Sequence, residues 1–168
     1  MNQLRLRNCT GRIASVAALV MVCLSSKAQT VLTISGEVTK PLTLQAADLQ
    51  AMPHTTVTAR DHDEKEHQYS GVPVSELLKQ AGAPLGGQLR GKNLRNYVVV
   101  KAADAYEVVF ALPEFDPEFA SQSILLVDRV DGQPLDNAVG PYRLVVPGEK
   151  KMARWVRQVK RIEVKVAN

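Results

Sequence analysis

The chain has 168 residues, 45% of them apolar, enough for one domain with its own core, and a formal net charge of +4. That excess sits at one end: Arg5, Arg7, Arg12 and Lys27 fall in the first 28 residues with no acid among them, leaving seventeen basic against seventeen acidic residues from 29 onward. The balance removes the main support for nucleic-acid binding. Both cysteines, Cys9 and Cys23, lie in the same first stretch, so nothing after it can form a disulfide or offer a thiolate.

Residues 1–28 have the plan of a cleavable signal peptide. Three arginines precede an apolar run from Ile13 to Leu24, and Ser26-Lys27-Ala28 supplies small residues where a signal peptidase reads. The run is short for a membrane span, and bulky Val22 ahead of Cys23 argues against lipid modification. Cleavage implies a periplasmic or secreted domain over 29–168 with no stable membrane span.

Within that domain, Val31 to Val38 is β-branched and reads as a strand. Leu44 to Met52 reads as a short helix, with Thr43 as its cap and Pro53 as its stop. Thr55 to Ala59 alternates threonine with apolar residues and predicts a strand, leading into the highly polar run Arg60 to His67. In Tyr69 to Gly82, Pro73 suits the first turn of a helix whose apolar stripe is Val74, Leu77, Leu78 and Ala81, with Gly82 to end it. Residues 84–91 read as a loop. Asn96–Ala102 and Tyr106–Leu112 predict a hairpin, residues 113–120 a short helix or packed loop, and Ile124–Val130 a strand closed by the turn 131–134. In a final strand, Val159 to Val166, Ile162, Val164 and Val166 should face inward and Arg161, Glu163 and Lys165 outward. About eight short strands with two or three short helices make a strand-rich α+β domain.

Positive charge is concentrated again near the C-terminus, where eight basic residues stand against two acidic ones between Arg143 and Lys165. The apolar run Leu144 to Val146 stops at Pro147-Gly148, and Lys150, Lys151, Arg154 and Arg157 follow. A turn ringed by guanidinium and ammonium groups suits an anion such as a phosphate; the plainer reading is a solvated basic face. Trp155 could stack on a flat heterocycle or plug the core. Asp104 and Tyr106 could face a ligand or simply support their hairpin turn.

All three histidines, His54, His62 and His67, fall within fourteen residues, beside Asp61, Asp63, Glu64 and Glu66. His62 and His67 are the candidate metal ligands, although on one continuous strand they face opposite ways and the spacing matches no metal motif. The alternative is a solvated hairpin tip. No nucleophile elbow and no Gly-rich phosphate loop is present, so no catalytic residue is assigned.

Three segments in order carry a resemblance: Gly71-Val-Pro-Val-Ser-Glu-Leu-Leu-Lys-Gln-Ala-Gly82, then Val98 to Tyr106, then Gly132-Gln-Pro-Leu135 through Gly140-Pro-Tyr-Arg-Leu-Val-Val-Pro-Gly148 to Trp155. Together they resemble the oxidoreductase molybdopterin-binding domain of the sulfite oxidase family, in a short, single-domain, exported form. The resemblance implies a mixed-sheet, strand-rich α+β fold that holds the pterin of the molybdenum cofactor by its phosphate. It assigns Arg143, Arg154, Trp155 and the backbone of Met152 and Ala153 to that phosphate, with Lys150 and Lys151 as additions.

One departure accompanies the match. The resemblance expects a molybdenum-ligating cysteine between the strand ending near Ala59 and the Gly-Val-Pro segment, and residues 60–70 contain none. Two readings follow. One is an exported domain binding an anionic ligand, molybdopterin or a phosphate-like molecule, without the thiolate for oxygen-transfer chemistry. The other is a cofactor-free module on the same fold, serving a periplasmic protein partner.

Overall fold

The computed structural model describes residues 31–168, so the predicted leader over residues 1–28 lies outside the described residues. β1 (Val31–Gly36) is followed by β2 (Leu42–Gln45) and the helix α1 (Ala46–Ala51). The predicted helix therefore starts later than Leu44. Residues 42–45 pair antiparallel with β1 from Val31↔Gln45 to Ile34↔Leu42, and the sheet claims them. The cap moves from Thr43 to Gln45, whose backbone N–H donates to Asp48 at 2.8 Å.

β3 (Thr55–Arg60) and β4 (Glu66–Pro73) form a hairpin around the turn 61–65, and α2 (Val74–Gln80) follows at once. Pro73 ends β4 and caps α2 instead of lying within the helix. The stripe Val74, Leu77, Leu78 and Ala81 is fully buried as the spacing predicts, and Gly82 leaves the helix at a φ of 73°. A 3-10 turn, Gly86–Gln88, lies within the predicted loop, and a second, Gly91–Arg95, follows from its last residue. β5 (Asn96–Ala102) and β6 (Glu107–Ala111) form the expected hairpin, and a 3-10 turn covers Leu112–Phe115. β7 (Leu125–Val130), the two-residue β8 (Gln133–Pro134), β9 (Arg143–Val145), a 3-10 turn at Met152–Arg154 and β10 (Val159–Val166) complete the chain.

The strands form two sheets, one mixed and one antiparallel. One has the order β2-β1-β10-β5-β6, with β1 and β10 parallel and the other neighbours antiparallel. The second has the order β3-β4-β7-β8, and β9 pairs with β7 at Leu125–Val127 while β8 pairs with it at Arg129–Val130. A single core draws on both sheets and on α2, from Leu32, Ile34, Val98, Val100 and Ile162 to Val72, Leu126 and Leu144. Ile162 and Val164 are fully buried; Val166, at the strand end, is half-buried.

The opposite face of the first sheet is a charge ladder. Lys101 bridges Glu107 at 2.8 Å and Glu163 at 3.3 Å, and Arg161 and Lys165 reach Glu163 at 3.2 and 3.4 Å. Cross-strand pairs of opposite sign keep this face solvated.

β4 and β7 approach most closely at Gly71, where the register shifts between Ser70 and Gly71. A Cβ there would lie 2.2 Å from the Leu126 carbonyl oxygen and 2.4 Å from the Val127 Cα. Both are backbone atoms, so side-chain motion gives no relief. Gly71→Ala is expected to lower the unfolding free energy by at least about 2 kcal/mol, measured by urea denaturation.

Candidate functional site

The site grows from the turn between β3 and β4. Asp61 leaves β3 with its N–H donating to the Lys65 carbonyl at 3.0 Å, while Glu64 donates back to the Asp61 carbonyl at 3.0 Å and takes a φ of 62°. These bonds turn the polar run through a tight reversal and aim the Asp61 carboxylate inward. Arg143, the first residue of β9, meets it there: Nη1 donates to Oδ2 at 2.7 Å and Nη2 to Oδ1 at 3.2 Å. The Tyr69 hydroxyl donates to the same Oδ2.

Arg143 is only 5% exposed. Its guanidinium lies 5.0 Å from the Trp155 ring centre and 5.9 Å from that of Tyr69, and the two rings meet edge to face at 5.5 Å. The Trp155 indole N–H donates to the Val146 carbonyl at 3.0 Å, which fixes the ring. Burial works against a charged Asp61, but the hydrogen bonds from Arg143, Tyr69 and the His62 backbone outweigh it and hold the carboxyl well below its usual range. Burial and the bond to Asp61 push the Tyr69 phenol up. Asp61 therefore stays a carboxylate and Tyr69 a neutral phenol across ordinary pH.

Two clefts, of about 440 and about 370 Å³, share His62, Arg143 and Arg157 in their walls. The larger is completed by Ala102, Asp104, Tyr106, Lys151, Met152, Ala153 and Trp155; the Asp104 carboxylate accepts from the Tyr106 backbone N–H at 3.0 Å and so supports its hairpin turn, and the Tyr106 hydroxyl donates to the Ala153 carbonyl across the rim at 2.8 Å. Lys151 and Arg157 are exposed there and have no ion-pair partner among the described residues. The smaller cleft is acidic, lined by Asp61, Asp63, Asp131 and Asp136, with His67 between them.

The predicted anion residues thus separate. Arg143, Lys151, Met152, Ala153 and Trp155 come together at one cleft, and Lys150 is exposed outside it. Arg154 faces a different depression, where Nε donates to Glu149 at 2.6 Å and Nη1 to Glu114 at 2.9 Å over the Phe110 ring. That depression is larger than either cleft, about 630 Å³, but two carboxylates already balance its arginine.

The candidate metal ligands His62 and His67 border the smaller cleft together, because the turn intervenes between them. Both ring nitrogens of His67 are engaged, Nδ1 with Asp131 at 2.6 Å and Nε2 with Asp63 at 3.1 Å. Among the described residues no three His, Cys, Asp or Glu side chains are grouped to hold a metal ion. Sequence reasoning had placed Asp61 only beside the histidines and gave Tyr69 no role. Their signal was the position of Asp61, first after a strand whose end pairs with Glu66, three residues before Tyr69.

A strand-rich fold with one mixed and one antiparallel sheet and a buried arginine in the wall of an aromatic-lined cleft defines a class of domain, and comparisons with known proteins specify it. The sequence pattern of the oxidoreductase molybdopterin binding domain matches residues 20–168. The chain belongs to that family. The structure is similar to the sulfane dehydrogenase SoxCD from Paracoccus pantotrophus, with a TM-score of 0.65 and 25% sequence identity over 82% of this chain and 39% of that one. The chain thus spans well under half the length of that relative. No curated protein matches its sequence.

Removing one partner of a buried ion pair leaves the other unpaired and costs several kcal/mol. Arg143→Ala, which also empties the space between Tyr69 and Trp155, is expected to lower the unfolding free energy by about 3 kcal/mol or more in urea denaturation. His67 tests a different contact. Asp131 first, then Asp63, raise its pKa above the ordinary imidazole value, and no other titratable group is bonded to it. A raised folded-state pKa contributes stability below about pH 6.5 that is lost as pH rises through the folded value. The protection of the Glu64 and Lys65 amides, after correction for base-catalysed intrinsic exchange, should fall across that window in the wild type, and His67→Gln should remove that fall.

Proposed function

We propose that this chain is an exported domain of the molybdopterin-binding family that binds an anionic small molecule, of the pterin-phosphate type, in the cleft between Arg143, Lys151, Arg157 and Trp155. The observation that carries the reading is the pairing state of the cations. Arg143 and Arg154 already have carboxylate partners, whereas Lys151 and Arg157 stand at the rim of a 440 Å³ cleft with none among the described residues. Their charge-assisted hydrogen bonds would meet phosphate oxygens, and Tyr106 at the rim and Trp155 beneath would flank a flat ring.

The residues fit the phosphate end of molybdopterin and do not fit its metal end. A molybdenum site of the sulfite oxidase type calls for a soft thiolate. The side chains that residues 60–70 turn toward the clefts are Asp61, His62, Asp63, His67 and Tyr69, all oxygen or nitrogen donors, and Asp61 is committed to Arg143 and Tyr69. No oxygen-transfer step is therefore assigned to this chain.

The Asp61–Arg143 pair also favours a second reading. An arginine neutralised from within is what a cofactor-free module would keep for structure alone, its cleft edge then serving a periplasmic protein partner.

Calorimetric titration with inorganic phosphate distinguishes the two. Lys151→Ala/Arg157→Ala is expected to weaken phosphate binding by about tenfold or more, since hydrogen bonds to charged groups contribute about 1.5–3 kcal/mol each. Pterin fluorescence and metal content of the protein exported by its native host provide the second measurement. Pterin at one equivalent supports the anion-binding reading; a folded protein with neither pterin nor phosphate affinity supports the accessory module.

A further inference from the structure

The Asp61 carboxylate holds Arg143 the way an oxyanion ligand would. It takes both terminal nitrogens, at 2.7 and 3.2 Å, in the bidentate manner of guanidinium with phosphate or carboxylate. The guanidinium is still not saturated, because its Nε is buried without a hydrogen-bond partner among the described residues. Arg143 borders both clefts, whereas Asp61 borders only the acidic one, so Arg143 lies between an internal anion and a basic, solvent-reachable space.

Asp61 is also carried by a turn and not by a strand. Residues 62–65 of that turn are exposed and pack on no core side chain, so an outward swing uncovers only what Asp61 itself covers, the Arg143 guanidinium and the Tyr69 hydroxyl. Asp61 is held besides by the Tyr69 hydroxyl, and the turn by its own backbone bonds and by the bridge from Asp63 through His67 to Asp131.

We infer that Asp61 is a tethered competitor for the anion of the cleft: its carboxylate occupies the Arg143 fork in the free protein, and a phosphate-class ligand reaches that fork only when the β3–β4 turn releases it. The inference rests on the reading of the cleft as an anion site and adds its regulation. Affinity is then set by two anions competing for one guanidinium. Lys151 and Arg157 hold the ligand at the rim, and Asp61 decides whether it can seat more deeply.

The test uses Asp61→Ala and Asp61→Asn, titrated with inorganic phosphate by calorimetry and melted in chloride and in phosphate. Each variant is expected to bind phosphate at least about tenfold more tightly than the wild type, because a charge-assisted competitor has been removed. Phosphate should also raise the melting temperature of the variants more than that of the wild type, the external anion taking the vacated place beside the buried guanidinium. A folded variant that binds phosphate no better than the wild type overturns the inference. So does failure of both variants to fold in saturating phosphate, since the external anion then cannot stand in for the carboxylate. The Lys151→Ala/Arg157→Ala protein separates the two levels of the argument. If it keeps wild-type phosphate affinity, the cleft reading fails; if it loses affinity while the Asp61 variants match the wild type, only the competition fails.

Discussion

The ion pair between Arg143 and Asp61 joins segments that nothing in the local sequence connects. It ties the β3–β4 turn to the start of β9, with Tyr69 of β4 and Trp155 ahead of β10 closing around the guanidinium. Two charges in so dry a place are tolerated because each is bonded: the carboxylate accepts from Arg143, Tyr69 and the His62 backbone, and the guanidinium lies against two aromatic rings. The cleft walls are built on this pair, so the geometry offered to a ligand depends on it.

The same logic governs the rest of the basic stretch. Charge that is contiguous in sequence is divided by the fold into cations balanced from within and cations left for solvent or a ligand. Arg154 turns to Glu114 and Glu149, Arg161 and Lys165 to Glu163, while Lys151 and Arg157 keep their charge at the cleft. Lys151 and Arg154, three positions apart, thus differ in what they can do, because the 3-10 turn at Met152–Arg154 sends their side chains to different depressions. A basic run is then informative only residue by residue.

Membership of the molybdopterin-binding family and likeness to SoxCD establish the fold more firmly than the chemistry. The chain keeps the basic, aromatic-lined cleft and places hard donors where the resemblance expects sulfur. The two halves of a cofactor site, one for phosphate and one for metal, are separable in physical terms because they need different ligands: cations and N–H groups for the first, a polarisable thiolate for the second. This chain has cations and N–H groups at the cleft and no thiol after Cys23.

Much of the fold was legible in sequence because its causes are local. The period of Val74, Leu77, Leu78 and Ala81 fixed a helix face, alternation in Ile162–Val164 fixed a strand face, and Gly82 and Pro53 marked ends through their backbone limits. Where local preference met a long-range partner, the partner decided: residues 42–45 became a strand because β1 was there to pair with them, and β4 ran through to Pro73 because β7 was. The sequence by itself determined the strand-rich class, the main helix, the basic stretch and the lack of a thiol after Cys23. Only the tertiary structure decided that Arg143 belongs to Asp61, 82 positions away, since that pairing follows from sheet order and a turn's direction, neither of which any window of neighbouring residues contains.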